Sequence, residues 1–174
     1  MSDDCKWKPD FDKWYNVNKE AYKFTFEQAV IKLDDLLTES ESITNKSIKW
    51  VTGIIAIFGF FVGFLIQKKL PIGYNSVFII FFIIDVAGLL FLIFPKEIKG
   101  RGFVPSELLP EKLDNPDDEK YQQELLYYFA IVKIEEDISV MRKKNSFRAN
   151  IYLASIILGL LLLVSGATYI VALL

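Results

Sequence analysis

The spacing of apolar residues changes character along this chain. Residues 48–67 and 74–94 are almost continuously apolar, and residues 149–174 form a third such run. Each has about the 20 residues that a helix needs to cross a hydrocarbon layer about 30 Å thick, so each predicts a membrane span. The link between the first two, residues 68–73, is long enough only for a tight turn, with Pro71 and Gly73 as its punctuation. The first two spans are therefore expected to form a hairpin, and Pro95 ends the second.

Outside these runs the apolar positions recur at helical spacing. Phe26, Val30, Leu33 and Leu37 follow steps of four, three and four, and Leu36, Ile43 and Trp50 add a second edge at intervals of seven. Neither proline nor glycine lies between Pro9 and Gly53. One helix is thus expected to run into the first span, with its weakest point in the Ser/Thr-rich stretch Thr38 to Thr44. Its start falls between Asn18 and Phe26, where Thr25 and Gln28 fit a capping box. Trp50 is placed at the interface, where its amphipathic ring is favoured. Tyr127, Ile131, Ile134, Ile138 and Met141 repeat the four–three spacing over two heptads, and the 26–37 stripe is their expected partner. The series Asn115-Pro116-Asp117-Asp118-Glu119 is a helix start: a capping Asn, a Pro at the first turn and carboxylates at the positive end of the dipole. No glycine or proline follows from Asp117 to Leu158, so this helix too is expected to enter a span. Residues 96–115 carry Gly100, Gly102, Pro105 and Pro110 and read as an irregular connection. Residues 1–18, with Trp7, Trp14 and Tyr15 among charges, have no period. They read either as an arm that docks on another part of an assembly or as a loosely ordered terminus.

The pattern predicts an all-α integral membrane protein: three transmembrane helices, with two long cytoplasmic helices continuous with spans one and three. The chain divides into an N-terminal arm and helix (1–46), a transmembrane hairpin (47–95), a cytoplasmic loop and helix (96–147) and a third transmembrane helix (148–174). Basic residues set the orientation. Lys46, Lys49, Lys96, Lys99, Arg101, Arg142, Lys143, Lys144 and Arg148 fall on one side of the spans, and only Lys68 and Lys69 on the other. The positive-inside rule puts the N-terminus in the cytoplasm and the C-terminus outside a cell inner membrane.

Composition narrows the chemistry. The 174 residues are 52% hydrophobic and carry a net charge of −2, so no global positive field recruits nucleic acid. Histidine is absent and Cys5 is the single cysteine, which removes Cys/His zinc sites, internal disulfides and histidine bases. Residues 1–8 are too polar for a signal peptide. The carboxylate pairs Asp34-Asp35, Asp117-Asp118 and Glu135-Glu136-Asp137 sit at adjacent helix positions and do not converge. The Lys99-Gly100-Arg101-Gly102 turn lacks the spacing of a phosphate-cradling loop. No enzyme, catalytic residue, metal or cofactor is expected.

Three features remain as candidate sites. Asp85 lies in the middle of the second span, on a face shared with Phe78, Phe81, Gly88 and Leu92. A carboxylate at that depth costs at least about 2.5 kcal/mol on insertion scales and is usually kept for function or pairing. It either pairs within the protomer with a Lys or with Ser/Thr hydroxyls, or it faces the axis of an oligomer. There Phe78, Phe81, Asp85 and Gly88 would line a pore, the two phenylalanines forming an apolar constriction. The second feature is two stripes of small residues, Thr52, Ala56, Gly59 and Gly63 in the first span and Ser155, Gly159 and Gly166 in the third. They permit close helix packing, within the chain or between subunits. The third is the basic cluster Arg142, Lys143, Lys144 and Arg148. It is either topogenic charge in contact with anionic lipid head groups, or a collar that binds a phosphorylated or nucleic-acid ligand. Tyr121, Tyr127, Tyr128 and Phe147 are near enough in sequence to offer stacking surfaces, although Tyr127 fits the helix core better.

The layout over residues 26–174 resembles the small transmembrane effectors of bacterial anti-phage operons, including the SLATT-type proteins and the effectors of the Pycsar and Hailong systems. The resemblance is one of architecture and assigns no site residues. It implies a homo-oligomer, a tetramer as the first guess, forming a gated pore or ion channel in the lipid bilayer under control of a cytosolic nucleotide or single-stranded oligonucleotide. The alternative expectation is a non-conducting membrane scaffold or accessory subunit that recruits a cytosolic partner through its helices.

Overall fold

The computed structural model describes residues 17–67, 72–94 and 122–173. All three elements are helices: α1 (Lys19–Gln67), α2 (Ile72–Ile93) and α3 (Gln122–Leu173). Each contains a stretch long and apolar enough to cross a membrane. The expected helix start at Asn115, Pro95 and most of the 68–73 turn lie outside the described residues.

Helix α1 begins about two turns before the expected capping box. Asn18 is the cap: its side-chain oxygen accepts from Glu20 N at 3.1 Å and its carbonyl from Ala21 N at 2.9 Å. Thr25 is already inside the helix, where its hydroxyl donates to the Ala21 carbonyl at 2.8 Å. The Ser/Thr-rich stretch does not interrupt α1. Thr44 Oγ1 donates to Ser40 O at 3.1 Å and Ser47 Oγ to Ile43 O at 2.8 Å, so these hydroxyls are satisfied on the helix's own carbonyls.

The chain packs as two units, one of residues 1–36 and 98–141, the other of residues 37–97 and 142–174. In the first, α1 and α3 pair as their spacing predicts. Tyr22, Tyr128 and Ile131 form the core, flanked by Phe26, Tyr127 and Phe129. The Phe26 and Tyr127 rings meet edge to face at 5.6 Å. Ile134, Ile138 and Met141 continue the buried edge of α3. On α1 the buried positions are Tyr22, Leu33 and Leu36, while Val30 is exposed. Of the expected stripe, Phe26, Leu33 and Leu37 pack or are buried, as are Leu36 and Ile43 of the second edge; only Val30 lies on the flank, and Tyr22 joins the core instead. Two intrahelical ion pairs, Lys23–Glu27 at 4.0 Å and the partly exposed Lys133–Glu136 at 3.6 Å, add little.

The second unit is an up-down-up bundle of three apolar helices. Contacts between α1 and α3 advance together along both: Glu39 with Asn145, Thr44 with Arg148, Ile54 with Gly159, Phe61 with Gly166. These two helices therefore run parallel. Contacts of α2 run the other way, with Leu92 beside Arg148, Gly88 beside Ser155 and Phe78 beside Gly166. Val51, Ile54, Leu89 and Leu92 form the core, with Trp50, Phe82, Val86, Ile93, Ile151 and Tyr152 packed on it. The outside is as apolar as the inside: Ile55, Phe60, Ile80, Ile83, Ile84, Leu161 and Val164 are all exposed. A helix bundle apolar on every side is adapted to lipid, where cohesion comes from close packing and internal hydrogen bonds.

Candidate functional site

The polar groups of the bundle are gathered in two layers. The lower layer centres on Arg148 of α3, 7% exposed. Its Nη2 donates to Leu92 O at 2.9 Å and to Thr44 Oγ1 at 2.7 Å, and its Nη1 donates to Ser40 Oγ and, at 3.4 Å, to Ser40 O. Leu92 belongs to the last turn of α2, whose carbonyls have no partner further along the helix. A guanidinium there satisfies an orphan carbonyl and complements the negative end of the dipole. Its planar fork lets one side chain tie α1, α2 and α3 together, which an ammonium could not do with the same geometry. Asn145, one turn earlier on α3, donates to Glu39 at 3.1 Å.

Arg148 is therefore inside the bundle and does not stand with Arg142, Lys143 and Lys144, all of which are exposed. Four basic residues close in sequence carry no signal of which one turns inward. The available clue was the period: Arg148 follows Met141 by seven and precedes Ser155 by seven, on the buried seam. Among the proposed stacking residues, Phe147 is exposed, Tyr128 is core, and Tyr121 lies outside the described residues.

The upper layer centres on Asp85 of α2, 1% exposed. The side chain points to α3, where its Oδ2 lies 3.2 Å from the place a Cβ would occupy on Gly159. Trp50 Cζ2 of α1 is 3.1 Å from that same place and Ile54 Cδ1 is 2.8 Å from it, so only glycine fits there without displacement. The Ser155 hydroxyl stands against the carboxyl group, but neither carboxylate oxygen has a hydrogen bond of acceptable geometry. Gly88, one turn along α2, faces Ser155 Oγ at 3.4 Å from its own Cβ position. Phe78 and Phe81 do not share the surroundings of Asp85. Phe78 packs on Phe61 at 4.5 Å and on Gly166, and Phe81 is 45% exposed. Phe58 stacks on Phe82 at 3.5 Å between centroids.

The two small-residue stripes are used differently. In α3, Ser155, Gly159 and Gly166 are all buried in the bundle. In α1, Thr52, Ala56, Gly59 and Gly63 are all exposed, and nothing lies within 4 Å of a Cβ built on Gly59 or Gly63. Beside the buried stripe, an apolar cavity of about 340 Å³ is walled by Phe58, Phe61, Phe78, Phe82, Gly159 and Gly166, among others. Among the described residues no cluster of acids could hold a metal ion. No family model, curated protein or solved structure matches this chain.

Proposed function

We propose that this chain is an oligomeric membrane effector that forms a gated pore in the bacterial inner membrane, under a cytosolic nucleotide or oligonucleotide signal in anti-phage defence. The observation that carries the reading is the uncovered stripe of α1. Thr52, Ala56, Gly59 and Gly63 offer a flat path for a second helix, and in lipid such close approach is what drives association. Copies would pack through this face, with the N-terminal helices in the cytoplasm and the pore between protomers, walled in part by the outward side of α2 around Phe81. Arg142, Lys143 and Lys144 of each copy would then repeat around the axis as a basic collar for an anionic ligand. A ligand that binds one arrangement of the collar better shifts the population toward it.

A second reading has its own support. Asp85 faces the interior of the protomer, as expected of a bundle whose polar core is structural. That favours a non-conducting scaffold that recruits a cytosolic partner through the Tyr22–Tyr128 helix pair. Size measurement in detergent and ion flux from liposomes separate the two. The pore reading expects a discrete homo-oligomer with flux in the presence of a cytosolic ligand, and expects Gly59→Leu to abolish both. A monomer, or an oligomer that carries no ions with any nucleotide or oligonucleotide tried, overturns it in favour of the scaffold.

A further inference from the structure

Within the first unit a cavity of about 590 Å³ opens between α1 and α3. Pockets for one small molecule run from about 300 to 1,000 Å³. Helix α1 lines it with Lys19, Lys23 and Phe26, whose steps of four and three keep them on one face. Helix α3 lines it with Gln123, Leu126, Tyr127 and Ala130, at the same kind of spacing. Lys19, Lys23 and Gln123 are exposed, Phe26, Leu126 and Tyr127 are half-buried, and Ala130 is buried. The cavity thus has a cationic, polar rim over an apolar and aromatic floor.

That combination selects a chemistry. Among the described residues that line the cavity there is no carboxylate. Lys23 lies 4.0 Å from Glu27, outside the cavity lining, with both side chains more than half exposed, so the pair is weak and its ammonium group exchanges readily onto a ligand. Two ammonium groups one turn apart suit a phosphate, which carries close to two negative charges. Phe26 and Tyr127 offer aromatic rings, on which planar bases pack whatever their identity. The Gln123 amide both donates and accepts, as the edge of a base requires. A phosphate without a ring leaves the aromatic floor unused, and a ring without a phosphate leaves the lysines unused. The volume suits one small molecule rather than a strand.

We propose that this cavity binds a single nucleotide, its phosphate held by Lys19 and Lys23, its base against Phe26 and Tyr127 and the edge of the base at Gln123. The site shares no residue with the basic collar of Arg142, Lys143 and Lys144. It rests on the proposed nucleotide-controlled pore for what binding achieves, but binding itself needs no pore.

The test is calorimetric titration of the full chain in detergent with the nucleoside monophosphates of adenine, guanine, cytosine and uracil. At least one is expected to bind saturably, at one site per chain. Ribose phosphate and the free nucleoside are each expected to bind about tenfold more weakly or worse, since each lacks half of the contacts. Lys19→Glu combined with Lys23→Glu should weaken binding by about tenfold or more, and both positions are exposed, so the fold is kept and circular dichroism verifies it. Tyr127→Leu should weaken it as well. Arg142→Glu combined with Lys143→Glu should leave affinity within about twofold, as expected of a separate site. Failure of all four nucleotides to bind, affinity indifferent to the Lys19 and Lys23 reversals, ribose phosphate binding as tightly as the nucleotide, or loss of binding on reversal of Arg142 and Lys143 overturns the proposal. Binding without ion flux upholds the site and counts against the pore, whereas flux under an oligonucleotide with no mononucleotide binding does the opposite.

Discussion

At the scale of single residues, the membrane bundle depends on a few polar side chains whose removal has distinct effects. Arg148→Met strips donors from the Leu92 carbonyl and the Ser40 and Thr44 hydroxyls. Each buried group left unpaired costs about 1–3 kcal/mol, so the unfolding midpoint in detergent should fall clearly. Arg148→Lys should recover only part of the loss, because an ammonium cannot fork to three helices. Asp85 was legible in the sequence because a carboxylate in an apolar run has no other explanation than pairing or function. Arg148 was not, because it sits at the edge of a span among three exposed basic residues, where composition points to topology. Tyr22 supplies a pH prediction in the first unit. Burial, and then the neighbouring Tyr128 and Glu124, push its phenol above the ordinary value of 10.0, and burial does the same for Tyr128. A phenol raised on folding contributes stability that is intact below pH 10 and is lost as pH rises through its folded value. Helicity of the wild type should therefore fall in the strongly alkaline range, and Tyr22→Phe should blunt that fall when followed by circular dichroism.

At the scale of helices, the same small-residue pattern has two fates, and paired substitutions distinguish them. Gly159→Ala meets Ile54, Trp50 and Asp85 within 3.2 Å and should destabilise the bundle by about 1–3 kcal/mol through overpacking. Gly59→Ala meets nothing within the protomer and should leave the unfolding midpoint unchanged or slightly raised, since Ala is the better helix former. Equal losses at both positions would show that the α1 stripe is covered in the assembled protein. Helix type and extent were readable from the sequence, because no proline or glycine interrupts the long four–three patterns outside the spans. The apolar face of α1 was legible at Phe26, Leu33, Leu36, Leu37 and Ile43, but Val30 was placed inside and Tyr22 left unassigned, because either choice keeps a helical period. Only the identity of the partner selects between them. Which glycine stripe packs within the chain was equally beyond the sequence, since both have the same spacing.

At the scale of the molecule, the sequence predicts helices throughout, and the described residues form three helices, each long and apolar enough to cross a membrane. Within the membrane bundle, the order in which α2 meets α3 has a mechanical consequence. Reading along the contact, Gly88 lies against Ser155, Asp85 against Gly159 and Phe78 against Gly166, so that bulk on one helix meets a gap on the other. The interface works like a key cut for one lock. A slip of α2 by a single turn would bring side chains of the wrong size to each glycine and pull Leu92 away from Arg148. Sliding of α2 by a turn would thus cost both packing and the Arg148 hydrogen bond, so movement of the three helices together is the expected mode in a bilayer.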